Sequence, residues 1–273
     1  MFGAMVYGLV GAVIGSFLNV VIDRIPAKQS LLKPSSHCPS CGTKLLARDM
    51  IPVFSYVLLG GKCRVCGAKI PRRVLWVECS TALLFAFLFL VYGLSWSLIL
   101  GTVYACILLV VLLIDLEHKL ILDVVILPAI GLGLLAIPLG TWLSPRFAYY
   151  GIWDILSVRM GWKLSIIQMS MMSQLLGGAV AFLIFLVIWL ISPQGMGDGD
   201  IRLAAFSGLI TGFPGALAAV FGSFILGGLV SVLLLLSGRV TRKTAIPFAP
   251  FLVITTLVVY IFGDRLLHMY LGF

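Results

Sequence analysis

Ser95–Asp115 reads SWSLILGTVYACILLVVLLID, a run without a charge until the acid that closes it. About 20 apolar residues, each rising roughly 1.5 Å, cross the hydrocarbon of a bilayer, so this stretch predicts a membrane-crossing helix. The pattern recurs in both directions, at roughly 2–22, 75–93, 120–140, 167–191, 201–213, 215–236 and 246–263. The sixth run, 201–213, is short and carries Gly208 and Gly212, which points to a tilted, broken or partly inserted helix. With 61% hydrophobic and only 11% charged residues, the chain has more apolar surface than a water-soluble core hides. The expected fold class is an all-α polytopic membrane protein of about eight transmembrane helices.

The distribution of lysine and arginine orients these runs. Phe2–Ile22 has no basic stretch before it, and its positive charges follow it, so it reads as a retained span with its N-terminus outside. The basic residues from Arg24 to Arg73, with Lys119, Arg202, Arg239, Arg242 and Lys243, then make fifteen on the inner side. Arg146, Arg159, Lys163 and Arg265 make four outside. This positive-inside bias accounts for most of the +9 net charge, and no nucleic-acid partner is expected. The outer segment 141–165 is long and aromatic, without a functional reading.

The same topology brings Asp115, at the end of the third span, and Asp200, at the start of the sixth, to the cytoplasmic side. An aspartate at the centre of a bilayer helix costs about 2.5–3.5 kcal/mol, so acids at membrane depth mark functional sites. The plainer reading of each is a helix end near the head groups. Around the second acid the chain reads Gly195-Met-Gly-Asp-Gly-Asp-Ile-Arg202, whose alternating glycines let the backbone approach a substrate or helix closely. The Gly-x-Gly-Asp pattern occurs twice, ending at Asp198 or Asp200, and only Asp200 is followed by a basic residue and an apolar run. Near the first acid, Glu117, Asp123 and His118 are further candidates; Asp115 is preferred because it closes a buried span, and His118 reads as a solvated interfacial residue.

Cys38-Pro-Ser-Cys41-Gly and Cys63-Arg-Val-Cys66-Gly form two Cys-x2-Cys pairs separated by twenty-one residues. That is the spacing of a four-cysteine zinc ribbon, in which four thiolates close a tetrahedral structural site. A disulfide is disfavoured on the cytoplasmic side, and iron in a similar sulfur cage is the other metal that fits. A segment this short, with few bulky apolar residues, needs such a staple, since zinc contributes on the order of 10 kcal/mol of folding free energy. Cys79 and Cys106 lie inside apolar runs and read as packing residues.

Asp115 with Leu116-Glu-His and Asp123, together with Gly197-Asp-Gly-Asp-Ile-Arg202, resembles the bacterial type IV prepilin peptidases, among the Gly-x-Gly-Asp intramembrane aspartyl proteases. Gly15-Ser-Phe-Leu-Asn-Val-Val-Ile-Asp-Arg-Ile-Pro26 resembles that family's opening signature, and Cys38–Glu78 its cytoplasmic cysteine domain. The chain departs from the family pattern at Leu122, where proline is usual, and at Arg202, where lysine is usual. The resemblance implies cleavage of prepilin and pseudopilin leaders after a glycine, ahead of an apolar helix, at the cytoplasmic face of the bacterial inner membrane. It also implies methylation of the new N-terminus with S-adenosylmethionine, for which no binding residue is assigned.

The expected division is a first transmembrane helix at 1–25, a cytoplasmic zinc-binding domain at 26–74 and a transmembrane peptidase core at 75–273. Asn19, Asp23, Arg24, Arg72, Arg73 and Glu78 either position the leader or the zinc domain or are ordinary polar helix ends. Two other classes use the same features. A proton- or ion-coupled transporter would employ the intramembrane acids, and a membrane-tethered zinc ribbon would bind nucleic acid through the basic loop. Oligomeric state has no signal in the sequence.

Overall fold

The protein is described by a computed structural model covering residues 1–143, 165–193, 196–238, 240, 241, 244 and 246–271. Most of the aromatic outer segment 141–165, with Arg146, Arg159 and Lys163, lies outside the described residues, as do Gly195, Arg239, Arg242 and Lys243. The described chain is helical; its sheet-like pairings are two isolated bridges, His37 with Lys44 and Lys62 with Lys69. It divides into two compact units, Met1–Leu94 and Ser95–Phe273.

In the first unit, α1 (Phe2–Arg24) pairs with α3 (Arg72–Tyr92), and between them lie a 3-10 turn (Ala47–Met50) and the short α2 (Phe54–Leu58). α1 buries a ridge of small residues, Ala4, Gly8, Gly11, Ala12 and Gly15. Lipid tails are as apolar as leucine, so helices in a bilayer associate by close packing, which small residues permit. A Cβ on Gly11 would stand 2.7 Å from the Thr81 carbonyl oxygen and from Phe85 Cβ. Tyr7 stacks on Phe85 with ring centroids 5.4 Å apart. Where the pair ends, Asn19 Nδ2 donates to the Gly15 and Val74 carbonyls at 3.2 and 3.3 Å, and Arg73 pairs with Asp23 at 2.6 Å.

The second unit holds α4 (Trp96–His118), α5 (Asp123–Leu143), α6 (Ile166–Ile191), α7 (Asp198–Thr211), α8 (Gly215–Leu236) and α9 (Ala249–Leu271). Ser95 caps α4 by accepting the Leu98 N–H, and Ser165 with Gln168 forms a capping box at the start of α6. α7 packs against α5, α6, α8 and α9, and Ile201, Leu203, Ala204 and every residue from Phe206 to Thr211 are buried. Only 14 residues long, about 21 Å, and without a charge after Arg202, the helix is enclosed by its neighbours from Leu203 onward. Its contact with α6 is backbone to backbone: a Cβ on Gly177 would meet the Gly208 carbonyl oxygen at 2.5 Å. Past the end of α7, Phe213 donates its N–H to the Ser173 carbonyl and accepts the Ser173 hydroxyl, each at 2.9 Å.

Among the described residues, five helices are long and apolar enough to cross a membrane: α1, α3, α4, α6 and α8. Asp123–Pro138 of α5 and Ala249–Gly263 of α9 are further apolar stretches. The described chain is thus multi-pass and helical, with five candidate crossings among the described residues where the hydropathy pattern alone predicts eight.

Candidate functional site

Asp115 lies in the last turn of α4 and is buried. The helix stops just beyond it because Lys119 adopts a left-handed conformation, its N–H closing on the Asp115 carbonyl at 2.8 Å. The N–H of Ala249, the first residue of α9, faces the Asp115 carboxylate. The first N–H groups of a helix have no partner within it, so the start of α9 supplies a free donor. Asp115 Oδ2 is buried and has no hydrogen-bond partner among the described residues.

Asp200 is the third residue of α7, half-buried, and its carboxylate lies near the N–H of Gly197, which precedes the helix. The carboxylate thus sits over the helix start, where free N–H groups favour it. Asp115 and Asp200 lie within electrostatic reach of one another. The structure therefore brings together the two acids singled out in the sequence, 85 residues apart along the chain.

Close backbone packing produces this approach. A Cβ on Gly199 would fall 2.6 Å from Ile121 Cβ, so only glycine lets the turn after α4 rest on the start of α7. Arg202 ties the same two elements, pairing with Asp123 at the head of α5 and with Asp198 at 3.0 Å. Asp198, the other Gly-x-Gly-Asp acid, is 70% exposed and engaged by Arg202. Glu117 and His118 are exposed, in keeping with His118 as a solvated residue at a helix end. The Ala249 N–H and the Ile121 contact were not anticipated. The first is a main-chain group, whose only sequence sign is a helix start between Pro247 and Pro250.

The cysteines form a second constellation, in the first unit. The Sγ atoms of Cys38, Cys41, Cys63 and Cys66 all lie within 4.8 Å of one another, with Cys38 and Cys66 3.8 Å apart. Metal–sulfur bonds of about 2.3 Å in a tetrahedron place sulfurs about 3.8 Å apart, so the group fits a four-thiolate metal. Two matching turns build it. Gly42 and Gly67, at φ 67° and 69°, return their N–H groups to the Cys38 and Cys63 carbonyls, while Cys38 and Cys63 donate to the Thr43 and Ala68 carbonyls. The Thr43 hydroxyl, 3.2 Å from Cys41 Sγ, and the Thr43 N–H draw the Cys41 thiol down to about 6. The Ala68 N–H acts the same way on Cys66, but desolvation and the three neighbouring sulfurs push that thiol up to about 11.

Of the polar residues flagged at the ends of α1 and α3, Asn19, Asp23, Arg24, Arg73 and Glu78 have partners within the first unit. Arg24 donates to the carbonyls of Ser30, Leu31 and Pro34, folding the chain that leaves α1. Glu78 is buried and accepts the Val53 N–H at 2.7 Å, which fastens the cysteine-bearing segment to α3. Cys79 and Cys106 are half-buried on α3 and α4 and take no part in the sulfur cluster.

Two family models match the chain. The bacterial peptidase A24 N-terminal domain covers residues 9–92, and the type IV leader peptidase family covers residues 102–232. Among relatives named prepilin leader peptidase/N-methyltransferase, that of Bacillus subtilis is 31% identical over 96% of this chain and 95% of its own length. That of Pseudomonas aeruginosa is 31% identical over 97% and 92%, and that of Xanthomonas campestris 32% identical over 96% and 92%. No solved structure matches.

Proposed function

The chain belongs to the bacterial type IV leader peptidase family, and from that premise we propose that Asp115 and Asp200 are its catalytic pair, cutting prepilin and pseudopilin leaders. The observation that carries the assignment is the buried Asp115 Oδ2, without a hydrogen-bond partner among the described residues and within electrostatic reach of the Asp200 carboxylate.

Two carboxylates so placed do not both ionise cheaply, so the pair holds one proton. The ionised member takes a proton from water as that water attacks the scissile carbonyl. The protonated member donates a hydrogen bond to the developing oxyanion, and a proton then passes to the leaving amine. No covalent acyl intermediate forms. The Ala249 and Gly197 N–H groups face the two carboxylates, and the Gly199–Ile121 contact sets their separation.

The remaining roles follow the same reading. Cys38, Cys41, Cys63 and Cys66 hold a structural zinc that organises residues 26–74, while residues 75–273 form the peptidase core behind the first helix, 1–25. All eight apolar runs belong to the membrane part, with the N-terminus outside and the site at the cytoplasmic face of the inner membrane. The names of the relatives support a second activity, methylation of the new N-terminus, with S-adenosylmethionine supplying the methyl group. Family membership sets aside the transporter and nucleic-acid readings.

Purified protein incubated with a prepilin, with and without S-adenosylmethionine, tests both activities by product mass. Loss of the leader supports the peptidase, a further gain of one methyl group only with the donor supports the second activity, and an uncut prepilin refutes the proposal.

A further inference from the structure

α2 turns its apolar side outward. Phe54, Val57 and Leu58, at the spacing of one helix face, are 68%, 65% and 81% exposed, and Met50 of the preceding 3-10 turn with its flanking residues Leu46 and Ile51 is exposed as well. In a segment with few bulky apolar residues, burying these six would be the first gain of folding, yet they face outward. The backbone holds them there against strain. Val53, a β-branched residue, stands at φ 62° at the head of α2, and its N–H is locked onto the buried Glu78 carboxylate at 2.7 Å. Non-glycine residues persist at positive φ only where their surroundings over-determine them.

The chain also shows what lies opposite. The segment leaves α1 and returns to α3, both long and apolar enough to cross a membrane, and Asn19–Val74 and Asp23–Arg73 contacts bring its two ends together. It is therefore tethered at the head-group level on both sides. From 25 to 71 it carries Lys28, Lys33, Lys44, Arg48, Lys62, Arg64 and Lys69 against one acid, Asp49, which Arg64 already neutralises at 2.6 Å. Exposed apolar side chains set among lysine and arginine match an anionic lipid surface.

We propose that α2 and the preceding 3-10 turn are a membrane-docking surface, seating Phe54, Val57 and Leu58 in an anionic phospholipid leaflet while the basic residues of 25–71 engage its phosphates. Docking presses the cysteine-bearing segment onto the bilayer at a third point, besides α1 and α3.

The test places the photoreactive residue p-benzoylphenylalanine at position 54 of the full-length protein, in nanodiscs of phosphatidylcholine alone or with phosphatidylglycerol. After irradiation, the modified peptide is identified by mass. The expected product is a phospholipid adduct, about threefold or more abundant with phosphatidylglycerol present. Absence of a lipid adduct, equal yield in both bilayers, or crosslinking instead to a second copy or to an added prepilin overturns the proposal. The same probe at position 58 gives an independent reading if the first variant does not fold.

Discussion

Asp115 Oδ2 is buried without a hydrogen-bond partner among the described residues, a position whose desolvation cost they leave uncompensated, and Asp200 shares its surroundings. Replacing either with asparagine keeps the volume but removes the proton exchange. Asp115→Asn and Asp200→Asn are each expected to slow prepilin cleavage by about 10³-fold or more, read by product mass, whereas Asp198→Asn stays within about tenfold. Near-normal cutting by Asp200→Asn would sink the assignment. Arg202 acts on geometry: Arg202→Ala frees the α4–α5 turn from α7 and should cost about tenfold in rate. Its pairs are largely exposed, so the unfolding temperature should hardly move, and Arg202→Lys should recover much of the rate by keeping one of the two partners. Among the cysteines, the thiol drawn to about 6 is a thiolate at pH 7.5 and the one pushed to about 11 is not. Alkylation of metal-free protein at that pH should therefore modify Cys41 well before Cys66, as peptide mapping can verify. The approach of Asp115 and Asp200 was legible, because carboxylates at the ends of apolar runs are side-chain signals. The Ala249 donor was not, because every residue but proline carries the same N–H.

At the scale of elements, the tight contacts are glycine contacts. Gly11→Leu would drive a side chain into Phe85 and the α3 backbone, and Gly177→Leu into Gly208 and Gly212. Overpacking of this kind costs about 1–3 kcal/mol, and more where backbone must move. Each variant should unfold several degrees below the parent in a thermal melt in detergent, while Gly228→Leu, with open space around it, should not. Most helices were legible from hydropathy, whereas the caps at Ser95 and Ser165–Gln168 were not read from the sequence. α7 was not legible as an enclosed helix, since the uncharged run after Arg202 reads alike whether lipid or protein surrounds it. The two cysteine turns were legible for the opposite reason: a thiol pair followed by glycine at a fixed offset specifies a local conformation that distant packing does not override.

For the whole molecule, the two kinds of stabilisation separate. Helices in lipid satisfy their own backbone hydrogen bonds, whereas residues 25–71 are held by a few ties and, on the proposed reading, by a metal on the four clustered thiolates. Chelation, or Cys63→Ser, should expose 25–71 to limited proteolysis while the far-ultraviolet helical signal persists. Simultaneous loss of both would contradict this separation. The Val53–Glu78 hydrogen bond has a bearing on engineering. A cassette of residues 26–71 grafted into a foreign scaffold would leave its acceptor behind, so α2 would lose the anchor that sets its direction. The portable piece therefore includes the opening turns of α3, and a chimera spliced nearer the cysteines would inherit the metal cage but not its bearing.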